Sequence, residues 1–336
     1  MVKTKVKKRL AINGFGRIGR AAFKIALDSK KFDIVAINDL TDPATLAHLL
    51  KYDSLYGAYS RPVKHGRSAL IVDGRTIKIT SIKEPAKLPW KRLKVDVVLE
   101  CTGRFVKDGA AQAHIKAGAR KVVISAPANG SGEVPTQLIG VNAHEKTDAQ
   151  VVSNASCTTN CVAPVAKVIV DNFGVRRAAM TTIHSYTADQ NLQDGPHGDL
   201  RRARAAAVNL VPTTSGAAIS TAKVIPELEG IFDGFAIRVP TPVVSLSDFT
   251  FITKKKTTVQ AVNQAFHRAA KNPAYKGVLA VSNEPRVSTD YIGDPHSATV
   301  DLLLTNVIAG DLVKIVAWYD NEWGYSNRLV ELAASQ

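Results

Sequence analysis

Cysteine is scarce in this chain: three of its 336 residues are cysteines, at positions 101, 157 and 161. So few thiols cannot build a disulfide framework, and their number suits a protein of a reducing compartment. No cluster of cysteine and histidine has the spacing of a zinc site, so no metal is predicted. The cysteines are therefore candidates either for core packing or for chemistry.

Long apolar runs are lacking as well. No stretch approaches the roughly 20 apolar residues that a membrane-spanning helix requires. The basic residues 1–9 lead into a predicted strand, not into the apolar core and cleavage site of a signal peptide. The sequence therefore predicts a cytoplasmic protein without a membrane partner.

Acidic residues are few compared with basic ones. The chain has 29 Asp and Glu against 44 Lys and Arg, which gives a formal net charge of +15. Such a surplus suits anionic small substrates or nucleic acid. No nucleic-acid recognition motif accompanies the charge, so nucleic acid is not favoured as the primary partner. The hydrophobic fraction of 45% and the length are typical of two globular domains.

A glycine-rich turn follows the first predicted strand, residues 10–13. It reads Gly14-Phe15-Gly16-Arg17-Ile18-Gly19 and leads into a helical pattern at 21–27. In this context the motif predicts a dinucleotide site. The first glycine permits the tight turn, the second lets the backbone approach a pyrophosphate, and the third allows close packing of helix and strand. The helix N-terminus then faces the phosphates.

An acidic residue stands where such a site needs one. Asp39 ends the second predicted strand, twenty residues after Gly19. A carboxylate there accepts hydrogen bonds from the ribose hydroxyls and repels a 2′-phosphate. The sequence therefore favours NAD over NADP, although Asp39 is also open to interpretation as a solvated acid at a strand end.

Alternating strands and helices over about 150 residues predict a doubly wound parallel sheet of the Rossmann type. Thr102, Gly103 and Ser125 follow two of its strands, on the side where such sheets bind ligands. The remaining chain predicts an α+β catalytic domain with a mixed or antiparallel sheet. There Pro212 leads into a helix, and a strand covers 298–304. The predicted domains are 1–155, joined by a C-terminal helix at about 325–336, and 156–324.

Cys157 lies where a predicted strand gives way to a helix. Valines precede it at 151 and 152, and a helix with an apolar face runs onward from Pro164. Free backbone N–H groups and the helix dipole favour a thiolate at such a position. Cys157 is therefore a candidate nucleophile, whereas Cys101 and Cys161 fit buried packing positions.

Six stretches of the chain together resemble the phosphorylating glyceraldehyde-3-phosphate dehydrogenases of glycolysis. They are residues 12–20, 153–161, 181–187, 199–204, 238–242 and 318–326. The resemblance covers essentially the whole chain. It implies NAD-dependent oxidative phosphorylation of D-glyceraldehyde 3-phosphate to 1,3-bisphosphoglycerate, through a hemithioacetal and a thioester on Cys157. An erythrose-4-phosphate dehydrogenase and an NADP-using relative are the enzymatic alternatives, and an RNA- or membrane-binding protein is the alternative of another class.

The resemblance also implies roles for particular side chains. His184 is expected to form an ion pair that lowers the thiol pKa, and to take a proton as hydride leaves. One anion site is implied at Thr187, Asp189 and Arg238, and a second or shared one at Ser156, Thr158, Arg202, Ser215 and Gly216. The implied cofactor-binding set is Gly14, Phe15, Gly16, Arg17, Ile18, Gly19, Asp39, Thr102, Gly103, Ser125, Asn321 and Tyr325. A homotetramer is implied too, with the loop at 187–204 near a neighbouring subunit.

Four positions depart from the family pattern. Tyr56 replaces a histidine, and Ser215 stands where threonine is usual. Gly198 occupies a position that is often lysine in bacterial relatives, and Gly195 replaces a leucine that precedes Pro196 in NAD-preferring relatives. Ser215 keeps a hydroxyl, so phosphate binding is expected to survive there. The choice of NAD rests mainly on Asp39.

Overall fold

A computed structural model describes residues 7–130, 134–145 and 147–336. The first six residues of the basic N-terminus lie outside this range. The described chain divides into two compact units. The first contains the chain up to Gln137, Glu145–Ala155 and Ser326–Gln336, and the second contains Leu138–His144 and Ser156–Tyr325.

The helices and strands are numbered in chain order. The helices are α1 (Arg17–Ser29), α2 (Pro43–Lys51), α3 (Gln112–Lys116), α4 (Cys157–Phe173), α5 (Ala217–Ala222), α6 (Val259–Lys271) and α7 (Trp323–Ser335). The strands are β1 (Lys8–Asn13), β2 (Phe32–Asn38), β3 (Tyr52–Asp53), β4 (Gly57–Ala58), β5 (Val63–Gly66), β6 (Ala69–Val72), β7 (Arg75–Thr80), β8 (Val97–Glu100), β9 (Lys121–Ile124), β10 (Val151–Ser153), β11 (Val175–Ser185), β12 (Val211–Thr214), β13 (Phe232–Val239), β14 (Ser245–Thr253), β15 (Leu279–Ser282), β16 (Ala298–Asp301), β17 (Asn306–Ile308) and β18 (Leu312–Tyr319).

The first unit is built on a sheet that has eight strands in the described chain, in the order β10-β9-β8-β1-β2-β7-β6-β5. Neighbours from β10 to β7 run parallel, and β6 and β5 add an antiparallel edge. The strand order reverses beside β1, because β2 and β8 lie on its two sides. Ligands of doubly wound sheets bind at such a switch point. The predicted doubly wound parallel sheet is confirmed.

The second unit contains a mixed sheet with the strand order β12-β13-β11-β14-β18-β16-β15, and β17 pairs with β18. The pairs β11–β13 and β15–β16 are parallel, whereas the other pairs are antiparallel. Helix α4 packs on this unit with most of its residues buried, including Pro164 within the helix. The predicted α+β domain with a mixed sheet is confirmed.

Two local predictions in this second unit are wrong. Pro212 does not lead straight into a helix, because residues 211–214 form the edge strand β12, in which Thr213 lies opposite Ala236. Proline is tolerated at a sheet edge, where its missing N–H costs no ladder hydrogen bond. The strand predicted at 298–304 ends at Asp301, because the Asp301 carboxylate accepts the N–H of Leu303 (3.2 Å) and starts a 3₁₀ turn.

No described helix combines the length and the apolar composition that a bilayer span needs. Both units instead bury apolar side chains within their own layers. In the first unit the ring of Phe15 meets that of Phe23 edge-on, with centroids 5.6 Å apart. In the second unit Phe249 and Phe251 stack at 5.8 Å. Aromatic pairs of this kind add to the free energy gained by burying their area.

The turn between β1 and α1 packs tightly against its own helix. Gly14 has φ of +90°, which favours glycine, and a Cβ built there would lie 2.8 Å from the backbone nitrogen of Thr102. A Cβ built on Gly19 would lie 2.1 Å from the carbonyl oxygen of Gly14. By contrast, a Cβ on Gly16 would meet no atom within 4 Å. The backbone at Gly16 therefore faces open space, while Gly14 and Gly19 are closed to side chains.

Replacing Gly19 by alanine should therefore destabilise the chain. The added methyl group must displace backbone atoms of the turn, and we expect a loss of about 1–3 kcal/mol in the free energy of unfolding. Gly16→Ala is the matched control and should change stability much less. Thermal unfolding without cofactor compares the two variants. Equal melting temperatures for Gly19→Ala and Gly16→Ala would contradict the packing argument.

Candidate active site

Cys157 is the first residue of helix α4. The side chain of Ser156 caps this helix, because its oxygen accepts the N–H of Thr159 at 3.0 Å. Ala155, just before the cap, has φ of +51°, an uncommon conformation for a residue other than glycine. The sharp turn and the cap together place the Cys157 sulfur at the positive end of the helix dipole. Cys157 as a whole residue is partly exposed.

His184 faces this sulfur from the end of strand β11. Its Nε2 lies 3.4 Å from Sγ of Cys157. In the parallel pairing of β11 and β13, His184 stands opposite Arg238. Strand register therefore brings the guanidinium beside the imidazole, although the two residues are far apart in sequence. The chain thus juxtaposes a thiol, a base and a cation.

Two neighbours contact the other ring nitrogen of His184. Its Nδ1 lies 2.7 Å from the carbonyl oxygen of Ser185 and 2.9 Å from Nη1 of Arg238. With the hydrogen on Nδ1, the ring donates to Ser185 and leaves Nε2 free to accept the thiol proton. With Nδ1 unprotonated, it accepts from Arg238 and Nε2–H points at the sulfur. Both tautomers are neutral, and both direct Nε2 at Cys157.

The charges around the pair oppose a charged histidine. Burial, together with the positive charges of Arg238 and Arg202, lowers the pKa of His184 to about 3. Burial also raises the pKa of the Cys157 thiol, and the charge of Arg238 opposes that rise. These two shifts act toward the neutral thiol and the neutral imidazole. The ion pair that the resemblance implies stays a prediction. Burial is the main cause of both shifts, and the positive charge of Arg238 adds to the shift of His184 while it opposes that of Cys157.

A buried hydroxyl group that the sequence missed adjoins the same helix end. The phenol oxygen of Tyr319, on β18, lies 3.0 Å from Oγ1 of Thr158 and 2.9 Å from Oγ1 of Thr182. Thr158 in turn lies 4.0 Å from the Cys157 sulfur. Burial raises the pKa of Tyr319, so it stays a neutral hydroxyl group. The sequence signal that could have indicated Tyr319 is its position at the end of a strand, two residues before Asn321.

Four predicted anion-binding residues contact one another in pairs. Nη1 of Arg238 lies 3.5 Å from Oγ1 of Thr187, and Arg202 forms an ion pair with Asp189. Arg202 also donates from Nε to Oγ1 of Thr213 at 2.9 Å. Since a carboxylate repels phosphate, Asp189 here orients the Arg202 guanidinium. Arg202 and Arg238 are the cationic groups of this cluster.

The hydroxyl and backbone groups predicted for the second anion site have local roles as well. Oγ of Ser156 lies 2.7 Å from Oγ1 of Thr159 in addition to its capping bond. Oγ of Ser215 accepts the N–H of Ala217 at 3.3 Å, so its hydrogen stays free to donate. Gly216 precedes helix α5 as its N-cap. The serine that replaces the usual threonine therefore keeps the donor that phosphate binding needs.

Asn321 is held by two serines. Oδ1 of Asn321 lies 3.0 Å from Oγ of Ser185 and 3.1 Å from Oγ of Ser245. Asn321 and the nearby Tyr325 are both buried. Neither serine was predicted as a site residue, because their proximity depends on the pairing of β11 with β14. Ser185 contacts His184 through its carbonyl oxygen and Asn321 through its hydroxyl group.

In the first unit, Asp39 is tied to the glycine turn. Its carboxylate accepts the N–H of Phe15 at 2.7 Å and that of Thr41 at 3.0 Å. Arg17 pairs with Asp53 at 2.8 Å, and its guanidinium lies 5.6 Å from the ring centroid of Tyr56. The tyrosine that replaces the usual histidine therefore contacts the glycine turn through Arg17.

The other predicted cofactor residues of the first unit lie at the same edge of its sheet. Ile18 is partly buried in the first turn of α1. Thr102 and Gly103 follow β8, and Ser125 follows β9.

The residues fit a dinucleotide. The open space beside Gly16 admits phosphates next to the N-terminus of α1. Each oxygen of the Asp39 carboxylate accepts one backbone N–H and keeps acceptor capacity for a ribose hydroxyl. No group of three or more His, Cys, Asp or Glu side chains that could hold a metal ion occurs among the described residues.

Comparison with known proteins gives two family-model matches. The model described as glyceraldehyde 3-phosphate dehydrogenase, NAD binding domain, matches residues 8–108. The model described as glyceraldehyde 3-phosphate dehydrogenase, C-terminal domain, matches residues 156–321, which include Cys157, His184 and Arg238. The chain therefore carries an NAD-binding domain, and NAD is its cofactor.

Several curated proteins are similar over nearly their full length. Glyceraldehyde-3-phosphate dehydrogenase 1 of Bacillus cereus is 53% identical over 329 residues, 97% of this chain and 97% of the relative. Glyceraldehyde-3-phosphate dehydrogenase 2 of Streptomyces avermitilis is 52% identical over 327 residues, 96% of this chain and 97% of the relative. The enzyme of Geobacillus stearothermophilus is 52% identical over 329 residues, 97% of each chain. The chain belongs to the glyceraldehyde-3-phosphate dehydrogenase family.

Proposed function

We propose that this protein oxidises D-glyceraldehyde 3-phosphate with NAD and inorganic phosphate, giving 1,3-bisphosphoglycerate and NADH. The observation that supports this most strongly is the contact between Sγ of Cys157 and Nε2 of His184, 3.4 Å long, at the N-terminus of α4. A thiol, a neutral base and nearby guanidinium groups are the components that oxidation of a phosphorylated aldehyde requires. The similar enzymes named above carry the name of the same substrate.

In the first step the sulfur of Cys157 attacks the aldehyde carbon. His184 takes the thiol proton at Nε2 and returns it to the oxygen that becomes the hemithioacetal hydroxyl. The contact of 3.4 Å between Nε2 and Sγ places the unprotonated nitrogen where it can take this proton. Arg238 and the helix dipole stabilise the negative charge that develops near the sulfur.

In the second step His184 removes the hydroxyl proton as hydride leaves the carbon, and a thioester remains on Cys157. NAD, when bound, supplies the acceptor for that hydride. Phosphate then attacks the thioester carbon, the acyl phosphate leaves, and the proton held on His184 returns to the sulfur. Cys157 and His184 thus end the cycle in their starting protonation states.

Two anion sites serve the substrate and the attacking phosphate. Thr187, Asp189 and Arg238 hold the phosphate of the sugar, with Asp189 acting through Arg202. A set of hydroxyl, backbone and guanidinium groups binds inorganic phosphate or shares in both sites: Ser156, Thr158, Arg202, Ser215 and Gly216. The pairing of Arg202 with Asp189 and the free hydroxyl hydrogen of Ser215 support these roles.

The residues that we propose for NAD binding are assigned to each domain separately. In the first domain the residues are Gly14, Phe15, Gly16, Arg17, Ile18, Gly19, Asp39, Thr102, Gly103 and Ser125. Asn321 binds the nicotinamide carboxamide, and Tyr325 lies near it in sequence. The domain boundaries that we propose are 1–155 with 325–336 for the NAD-binding domain and 156–324 for the catalytic domain. The family-model matches at 8–108 and 156–321 support this division.

The protein acts as a cytoplasmic homotetramer. Four large apolar residues in the loop at 187–204 or shortly after it are exposed. Their exposed fractions are 76% for Leu192, 81% for Leu200, 77% for Val208 and 70% for Leu210. We propose that other copies of the same chain bury this surface in the oligomer. The free thiols of all three cysteines suit a reducing compartment. The mass of the particle in solution decides the oligomeric state.

The reaction itself is tested by following NADH absorbance. We expect turnover with glyceraldehyde 3-phosphate that requires inorganic phosphate. Cys157→Ser should lose at least about a thousandfold in kcat/KM, because a neutral hydroxyl is a far weaker nucleophile. Erythrose 4-phosphate, with and without phosphate, is the control substrate. Faster turnover of erythrose 4-phosphate, or turnover of either sugar that ignores phosphate, would contradict the proposal.

The preference for NAD should depend on the charge of Asp39. Asp39→Asn keeps an oxygen for the N–H of Phe15 but removes the repulsion of a 2′-phosphate. We expect the ratio of kcat/KM for NAD to that for NADP to fall by about tenfold or more. Steady-state kinetics with both cofactors measure the ratio. An unchanged ratio would show that other groups set the cofactor choice.

A further inference from the structure

A network of buried polar side chains lies at the carboxyl ends of the parallel strands of the first sheet, beside the loops that we propose to hold NAD. It runs through Trp90, His114, Glu100, Asn13 and Asn38, each at most 5% exposed. Glu100, which is fully buried, ends β8, while Asn13 and Asn38 end β1 and β2. The mechanism proposed above uses none of these five side chains. A buried carboxylate is costly unless donors satisfy it, so its presence requires an explanation.

Glu100 receives four hydrogen bonds. Its Oε2 accepts from Nδ2 of Asn13 at 2.6 Å and from Nε2 of His114 at 2.8 Å. Its Oε1 accepts the N–H of Thr102 at 2.8 Å and the hydroxyl of Thr102 at 2.5 Å. Four donors match the acceptor capacity of an ionised carboxylate, which has no hydrogen of its own to place. Glu100 is therefore a buried carboxylate whose acceptor positions are filled by donors of the protein.

Other contacts fix the orientation of each side-chain donor. Trp90 donates from Nε1 to Nδ1 of His114 at 3.0 Å, so the histidine hydrogen lies on Nε2 and points at Glu100. The Thr102 hydroxyl oxygen accepts the N–H of Arg104 at 3.1 Å, so its hydrogen goes to Glu100. Oδ1 of Asn13 accepts from Asn38 at 2.7 Å, which leaves the amide N–H groups for the carboxylate.

The groups that Glu100 holds adjoin the proposed cofactor loops. Asn13 directly precedes Gly14, and Thr102 directly precedes Gly103. Asn38, which donates a hydrogen bond to Asn13, directly precedes Asp39. We infer that Glu100 is a positioning residue for NAD: its buried carboxylate fixes the glycine turn and the Thr102-Gly103 loop in the arrangement that binds the dinucleotide. This inference rests on the proposed placement of NAD at these loops.

The isosteric change Glu100→Gln tests the inference, because an amide has only one oxygen. If its NH₂ faces Asn13 and His114, N–H groups oppose N–H groups at that end. If it faces Thr102, it opposes the backbone N–H there. Since the orientations of these donors are fixed, either placement forces a loop to move.

Calorimetric titration with NAD, well below the melting temperature, is the primary measurement. We expect Glu100→Gln to raise the Kd for NAD by about tenfold or more, since two loops lose their alignment. Alkylation of Cys157 by iodoacetamide without cofactor should keep its wild-type rate and pH profile. Trp90→Phe is the matched control, because it removes a buried hydrogen bond one step away from the carboxylate. It frees Nδ1 of His114, but Nε2–H can still donate to Glu100, and the other three donors are unchanged.

A second pair of variants decides the question if Glu100→Gln does not fold. His114→Phe removes one donor to the carboxylate and should weaken NAD binding, whereas His114→Gln keeps an N–H donor and should restore it. Two results would overturn the inference. The first is an NAD affinity of Glu100→Gln within about twofold of wild type. The second is a Trp90→Phe variant that loses as much melting temperature as Glu100→Gln and also binds NAD equally weakly. Failure of the wild-type protein to bind NAD would instead contradict the proposed function.

Discussion

The contact between the sulfur of Cys157 and Nε2 of His184 is the interaction on which the rest of the catalytic unit depends. A thiol is a weak nucleophile until a base takes its proton, and an aldehyde releases hydride readily only after a nucleophile has made its carbon tetrahedral. The distance of 3.4 Å places the base within reach of the thiol. Helix α4 supplies the sulfur, and strand β11 supplies the imidazole. The unit is built so that one helix end and one strand end meet.

Positive charge near this pair affects the pKa values of both the imidazole and the thiol. Arg238 lies beside His184 through the pairing of β11 with β13, and its charge helps to keep the imidazole neutral. The same charge opposes the rise in the Cys157 pKa that burial causes. The neutral resting state therefore leaves the histidine ready to accept a proton, while the guanidinium remains available for anions. The Asp189 carboxylate gives Arg202 a fixed orientation.

Features formed by residues close together in sequence could be predicted, whereas contacts between residues far apart in sequence could not. The glycine turn, Asp39 and the helix start at Cys157 were predictable, because each depends on a strand followed directly by a helix. The contacts of Tyr319, Ser185 and Ser245 were not, because strand register brings together residues that lie far apart in sequence. The ion pair of Cys157 and His184 stays a prediction, and the burial that opposes it could not be derived from the sequence. Strand β12 was missed because a proline suits a helix start as well as a sheet edge.

The two units use buried polar groups in a similar way. In the first unit a buried carboxylate holds the ends of parallel strands, and in the second the serines on β11 and β14 hold Asn321. Groups of this kind do not react, yet they limit the positions that the reacting groups can take. The family resemblance indicated the residues that we propose to react, whereas the hydrogen bonds showed which groups hold them.

Mass spectrometry of the intact protein tests the central claim most directly. The protein is mixed with glyceraldehyde 3-phosphate and NAD while inorganic phosphate is withheld, and the reaction is stopped with acid. A 3-phosphoglyceryl group should then be attached at Cys157, and adding phosphate before the acid should remove it. Sustained NADH formation with no acyl group on Cys157 would contradict covalent catalysis by this thiol.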